Sequence, residues 1–278
     1  MNLDPRLATA ASLDERSRHL RRLVIAALEG GGRGHVGSSM SLIEIIRVLY
    51  DHTLRHRPAE PRWAGRDRFI LSKGHGCLAQ YAVLADAGYF PVDELKSFCR
   101  RDSFLGGHPE AGKIPGVEAS TGALGHGFPI GLGMALAARI RGADTRVFVV
   151  MGDGEINEGS VWEAAMCAGK HGLTNLTAII DYNKLQSYGP VADVQPLEPL
   201  ADKWRAFGFD AVEADGHDVA QLRQAFSSRI GARRPLVLIC HTVKGGGLPF
   251  AENDPAWHHK NRISPQQAAA MYAALEKG

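Results

Sequence analysis

Two apolar runs, residues 147–151 (VFVVM) and 177–182 (TAIIDY), constrain the fold of this chain more than any other feature. Both are almost continuously apolar and rich in β-branched residues, the pattern of strands buried on both faces of a parallel sheet. Each run leads into a hard oxygen donor: Gly152-Asp153-Gly154 follows the first and Asn183 the second. Ligands gather at the carboxyl ends of adjacent parallel strands. Asp153 and Asn183 are therefore placed to share one ion, and their oxygens suit Mg²⁺ or Ca²⁺ over a soft metal. Gly152 and Gly154 leave room for a phosphate against the backbone. A helix starting near Glu158 would aim amide N–H groups at that phosphate. The local chemistry is that of a metal-bridged diphosphate.

The remaining pattern supplies the scaffold. Leu20, Leu23, Val24, Ala27 and Leu28 recur at helical spacing, and Gly30-Gly31-Gly32 ends that helix. A second helix is expected over 41–50, where Leu42, Ile45, Ile46 and Leu49 share a face. A strand at 68–72 leads into Lys73-Gly74-His75-Gly76 and then a helix to about Ala87. The helix 159–170 joins the two metal-site strands, and strands at 210–214 and 236–241 flank a helix over 219–229. Strands alternating with helices in this way give a three-layer α/β/α fold around a mainly parallel sheet. With 278 residues and no Ser/Pro-rich linker, the chain is expected to form a single domain over 1–278.

Several classes are excluded. The 32 Lys and Arg nearly balance the 30 Asp and Glu, which gives no basis for binding nucleic acid or a membrane surface. The basic clusters at 16–22 and 55–68 are interspersed with apolar positions and are expected to be solvated faces. The uncharged stretch 119–138 is long enough to raise the question of a membrane span. Its glycines, His126 and Pro129 favour a buried, closely packed helix entered through a glycine turn. Cys77, Cys99, Cys167 and Cys240 are scattered without a CxxC pair, as expected of reduced, mostly buried thiols in a cytoplasmic protein. Residues 1–20 carry charges throughout and lack the apolar centre of a signal peptide. Gly32-x-Gly34-x-x-Gly37 matches a dinucleotide fingerprint but follows a helix instead of a strand. Gly152-x-Gly154 does follow a strand, yet Asn157 occupies the third glycine position, and Asp153 would repel a pyrophosphate without an intervening cation.

Gly152-Asp153-Gly154 with Asn183 resembles the thiamine diphosphate motif, whose Asp and Asn bind the metal. The string GDGEINEG (152–159), followed by Val161-Trp162-Glu163-Ala164-Ala165, resembles the transketolase family in particular. So do RFILSKGHG (68–76), PGVEASTGALGHG (115–127) and Asp215-Gly216-His217. HTVKGGG (241–247) with Pro255-Ala256-Trp257-His258 is similar to the N-terminal subunit of split transketolases, and the matching blocks run from about residue 35 to 258. The resemblance implies a thiamine diphosphate-binding (PP-type) domain with thiamine diphosphate and Mg²⁺ or Ca²⁺ as cofactors. It assigns the metal to Asp153, Asn183 and the Leu185 carbonyl. It sets His75, His258, the Gly154 backbone and Lys244 at the diphosphate, and Gly122 and Leu124 at the thiazolium. His35 and His108 would face substrate hydroxyls, His258 would join them in steering protons, and Glu158 would couple two active sites at a subunit interface. His126 stands where the family usually has Gln, and Gly246 where split relatives commonly have Lys, which alters the pocket rim.

In the family, the glutamate that activates the cofactor belongs to a pyrimidine-binding domain, and nothing here resembles that domain or the one after it. The implied partner is a separate transketolase C-terminal subunit carrying both, in an α₂β₂ assembly. The implied reaction moves a two-carbon ketol unit from a ketose, expected to be phosphorylated, to an aldose. One alternative is a subunit like those of 1-deoxyxylulose-phosphate synthase or 2-oxoacid dehydrogenases. Another, in a different class, is a non-catalytic cofactor-binding scaffold.

Overall fold

In a computed structural model, which describes residues 13–227 and 232–276, the strands are β1 (Arg68–Leu71), β2 (Val147–Gly152), β3 (Leu176–Tyr182), β4 (Asp210–Asp215) and β5 (Leu236–His241). They form one sheet in the order β1-β2-β3-β5-β4, and every pairing is parallel. The helices are α1 (Glu15–Gly31), α2 (Val36–Met40), α3 (Ile43–Val48), α4 (Cys77–Asp86), α5 (Gly127–Ile140), α6 (Gly159–Lys170), α7 (Val191–Val194), α8 (Leu200–Ala206), α9 (Val219–Ser227) and α10 (Pro265–Glu276).

Successive strand residues point to opposite faces, and β2 divides accordingly. Val147, Val149 and Met151 enter a core with Phe128 of α5, Val161 of α6 and Trp204 of α8. Phe148 and Val150 enter the other core, with Leu28 of α1, Ile45 of α3, Tyr81 of α4 and Met271 of α10. Burial on both faces is why these strands carry no alternation. Register then positions the site: Val147 lies opposite Leu176 and Gly152 opposite Asp181, so β2 and β3 end side by side. Asp181 in turn pairs with Cys240 of β5, which brings the segment after His241 to the same edge.

Local chemistry sets the helix ends. The Asp14 carboxylate accepts the Ser17 N–H at 2.8 Å to start α1, and Gly32, at φ 68°, closes it by donating to the Leu28 carbonyl. At Gly131 of α5 a Cβ would lie 2.4 Å from the Val149 side chain, so only glycine lets α5 settle on β2.

Some expectations need correction. The helix expected over 41–50 is α3, shorter at 43–48 and running into a wide π-turn at Leu49–Thr53, while α2 just before it was not anticipated. The 119–138 stretch is irregular up to α5, and one flank of α5 faces solvent through Ile130, Gly133 and Ile140. The close packing expected from its glycines holds on the face of Phe128, Gly131, Ala135 and Ala138, but not on this flank. The 219–229 helix is seen as α9, while residues 228 and 229 lie outside the described residues. The 16–22 cluster is not wholly solvated: Arg21 is fully buried, where Glu44 neutralises it at 2.5 Å. In the 55–68 cluster, Arg55 pairs with the buried Asp67 at 2.9 Å and Arg66 with Glu118 at 2.8 Å. Cys77 and Cys240 are buried, but Cys99 is exposed and Cys167 half-buried. The short helices α7 and α8 and the terminal α10 carry too little periodicity to be anticipated. Among the described residues no helix is long and apolar enough to cross a membrane.

Candidate active site

The β2–β3 register leaves Asp153 and Asn183 at neighbouring strand ends, both buried. Asp153 accepts the Gly154 N–H at 2.7 Å and the Lys184 N–H at 2.6 Å. Burial first, and then the charge of Asp181, push its carboxyl up to about 6, the situation of a carboxylate that a cation would stabilise. The Asn183 amide oxygen accepts the Leu185 N–H at 3.2 Å. The Leu185 carbonyl accepts the Lys244 ammonium at 2.7 Å, so a positive charge already rests on the third oxygen assigned to the metal. Among the described residues no cluster of three or more His, Cys, Asp or Glu could hold an ion. A cation here therefore needs oxygens from a ligand as well as from the protein.

Behind these oxygens stands a charge network that sequence reasoning missed. The Lys73 ammonium meets Asp181 at 2.5 Å, and both side chains are buried. Ser41 donates to the same carboxylate at 2.7 Å, and Thr242 donates to its other oxygen. Burial would raise the Asp181 carboxyl, but Lys73 with the two hydroxyls holds it below its ordinary value. Glu155 accepts N–H groups from Gly152 and Gly125 at 3.0 Å each, and Ser72 donates to it. It thereby ties the ends of β1 and β2 to the 121–126 turn. Burial, and then the charge of Lys73, lower the Lys244 ammonium to about 8.

A cavity of about 110 Å³ opens onto this edge, lined by Lys73, His75, Leu124, Asp153, Gly154, Asn183, Leu185, Gln186, Lys244 and His258 among others. Gln186 Nε2 and His258 Nδ1 are buried without a hydrogen-bond partner. Unsatisfied polar groups beside two buried ammonium ions are costly unless an oxygen-rich anion completes them. The residues present therefore fit a diphosphate with a divalent ion: Asp153, Asn183 and the Leu185 carbonyl would hold the ion, and Lys73, Lys244, Gln186 and His258 the diphosphate.

Sharing His75 with it is a second cavity of about 460 Å³, which also takes in His35, His108 and His259. The His35 ring lies 5.2 Å from His75, 6.5 Å from His108, 5.4 Å from His258 and 4.4 Å from His259. Burial pushes His35 down to about 3, helped by His259 and His258, and pushes His258 down to about 4, helped by Lys244. His35 and His258 are therefore neutral near pH 7, and a neutral imidazole can both donate and accept hydrogen bonds to hydroxyls. Gly122 packs under His108, where a Cβ would come within 2.9 Å of Cδ2.

Of the sequence-derived site residues, the fold thus gathers His75, Leu124, Asp153, Gly154, Asn183, Leu185, Lys244 and His258 at the smaller cavity. His35 and His108 line the larger one. Glu158 reaches neither: it is exposed and packs on Gly125. The turn Glu155–Asn157 intervenes before α6, so the α6 N-terminus does not line the diphosphate cavity either. His259 was missed because it directly follows the residue already chosen. Lys73 and Ser38, which also line the smaller cavity, lie inside or next to the glycine motifs but carry no distinguishing spacing.

A parallel sheet with this edge chemistry defines a thiamine diphosphate-binding domain, and residues 14–271 match the family described as transketolase, thiamine diphosphate binding domain. The chain belongs to that family. It is 42% identical to one subunit of the apulose-4-phosphate transketolase of Actinobacillus succinogenes, covering 89% of this chain and 90% of that protein. It is 39% identical to the 6-deoxy-6-sulfo-D-fructose transketolase subunit SqwG of Clostridium sp., covering 95% and 96%. Among solved structures it superposes on transketolase from Leishmania mexicana with a TM-score of 0.83, at 30% identity over 97% of this chain but 45% of that one. Transketolase from Campylobacter jejuni gives 0.83, at 29% identity over 94% and 46%. The chain thus spans less than half of those longer transketolases.

Proposed function

We propose that this chain is the diphosphate- and metal-binding half of a two-subunit transketolase that moves a two-carbon ketol unit from a phosphorylated or similarly anionic ketose to an aldose. The observation that carries this reading is the smaller cavity. Asp153, Asn183 and the Leu185 carbonyl line it together with Lys73, Lys244 and His258. Mg²⁺ on those oxygens would neutralise Asp153, while the ammonium groups and the unpartnered Gln186 and His258 nitrogens would take diphosphate oxygens. Bound thiamine diphosphate supplies the electron sink for breaking a carbon–carbon bond. Leu124 and Gly122 border the place for its thiazolium. His35, neutral near pH 7, and His108, with its ring 6.5 Å away, would orient the ketose hydroxyls and steer protons.

Relatives whose names make them single subunits of a transketolase support a separate partner chain. So does the uncharged outer flank of α5, where Ile130 is 39% exposed and Ile140 82%. Those relatives are named for a sugar phosphate and for a sulfonated sugar, which supports an anionic donor. Calorimetry of the full chain with thiamine diphosphate tests the reading. Uptake should require Mg²⁺ and should vanish in D153A; metal-independent binding, or binding unchanged by D153A, would overturn it. Ketol transfer should appear only after a transketolase C-terminal subunit is added, whereas a non-catalytic scaffold would bind the cofactor and never turn over.

A further inference from the structure

We propose that Glu155 is a positioning residue that couples the two ends of the cofactor site, holding the 121–126 turn in register with the end of β2. The proposal rests on the thiamine diphosphate reading, which places the diphosphate beside Asp153 and the thiazolium beside Leu124 and Gly122.

Glu155 opens the turn after β2 and is 2% exposed. One of its carboxylate oxygens accepts the Gly152 N–H at 3.0 Å. The other accepts the Gly125 N–H at 3.0 Å and the Ser72 hydroxyl. Gly152 directly precedes Asp153, and Gly125 directly follows Leu124, so one side chain spans from the metal donor to the turn that borders the thiazolium place. Both backbone groups of Gly125 are held from the segment after β2, because the Ser160 hydroxyl donates to its carbonyl at 2.8 Å. Only glycine serves at 125: its φ is 78°, and a Cβ would lie 2.5 Å from that of Glu158. At the start of the turn, the Thr121 hydroxyl donates to the Leu71 carbonyl of β1 at 2.7 Å. The Thr121 N–H donates to the Pro109 carbonyl at 3.1 Å, next to His108. The turn therefore hangs between β1, the histidine cavity and β2, and Glu155 fixes it to the metal side.

The task needs a carboxylate. An ionised carboxylate accepts on both oxygens and donates nothing, which suits three donors converging from three segments. Glutamine has the same size but one oxygen and an NH₂ group, so it leaves the N–H of Gly152 or of Gly125 facing another donor. A buried N–H without an acceptor is costly, and the backbone that carries it shifts to find one. The diphosphate and the thiazolium belong to one molecule, and joining two binding pieces adds affinity only where both seats can be filled at once. A change in the spacing of the two seats should therefore weaken the whole cofactor more than its diphosphate alone.

The test is calorimetry of the full chain with Mg²⁺, comparing thiamine diphosphate with inorganic pyrophosphate. Thiamine diphosphate should bind more tightly in the wild type, and E155Q should shrink that margin about tenfold. The charge lost in E155Q acts on the diphosphate, which both ligands carry, so the margin reads position. S160A, which frees only the Gly125 carbonyl, should shrink the margin about threefold, and it decides the matter if E155Q does not fold. A merely structural Glu155 would lower the melting temperature and weaken both ligands alike. A margin that survives in folded E155Q, or in S160A where E155Q does not fold, overturns the coupling and leaves the proposed function standing. Equal binding of the two ligands by the wild type does the same. Absence of Mg²⁺-dependent thiamine diphosphate uptake by the wild type overturns the function itself, and the coupling with it.

Discussion

Glu44 shows how much a single side chain can fix. Buried against Arg21 at 2.5 Å, it also meets His217 Nδ1 at 2.8 Å, while Arg21 Nε donates to the Gly246 carbonyl and the Val243 N–H donates to His217 Nε2. Burial opposes the charge of Glu44, but Arg21 and His217 more than offset it and hold the carboxyl well below its ordinary range. This network therefore braces the 243–247 segment that carries Lys244. E44A should cost about 3–5 kcal/mol in chemical denaturation, because it leaves a buried guanidinium without its counter-charge. A loss under about 1 kcal/mol would contradict this account. The histidines set the response to acid. In the unfolded chain they take protons as pH falls through about 6.5, but in the folded chain His258 does so only near 4 and His35 near 3. Their folded values lie below the unfolded ones, so the stability they contribute is present above pH 6.5 and is lost as the pH drops toward 4. Urea midpoints should fall over that interval, and H258N should flatten the slope. Residues standing in motifs, such as Asp153, Asn183 and His75, were legible in the sequence. Asp181 was not: it sits inside an apolar run, and only the pairing that faces it with Lys73, Ser41 and Thr242 reveals its part.

At the scale of elements, close approach between backbones decides where helices lie. On α6, a Cβ at Gly169 would fall 1.8 Å from the Phe207 carbonyl oxygen, which belongs to the turn after α8. G169A should therefore lower stability by about 1–3 kcal/mol, read from thermal unfolding, since backbone cannot move aside as a side chain can. A wild-type melting temperature in G169A would refute that contact. Strands were the most legible elements, because burial on both faces leaves an unbroken apolar string. The break between α2 and α3 was not legible: the Ser41 N–H closes α2 on the Gly37 carbonyl, while its hydroxyl donates to Asp181, a partner 140 residues away. Local periodicity carries no record of such a partner.

Across the whole molecule, the two cavities meet at His75 and the uncharged flank of α5 lies open. If that flank receives a partner, I130E should weaken assembly with the C-terminal chain at least tenfold in sedimentation. Mg²⁺-dependent thiamine diphosphate uptake by the isolated chain should stay intact. Loss of cofactor uptake in I130E would instead make the flank part of the fold. The sequence by itself determined the α/β class, the β2 and β3 strands and the place of Asp153 and Asn183 just past their ends, since strand burial depends on residue type and short spacing. Only the tertiary structure decided that Lys73 and Lys244 flank one cavity, that His259 joins the histidine group, and that Glu155 bridges Gly152 and Gly125. Electrostatic energy depends on distance through space, and distance along the chain does not encode it.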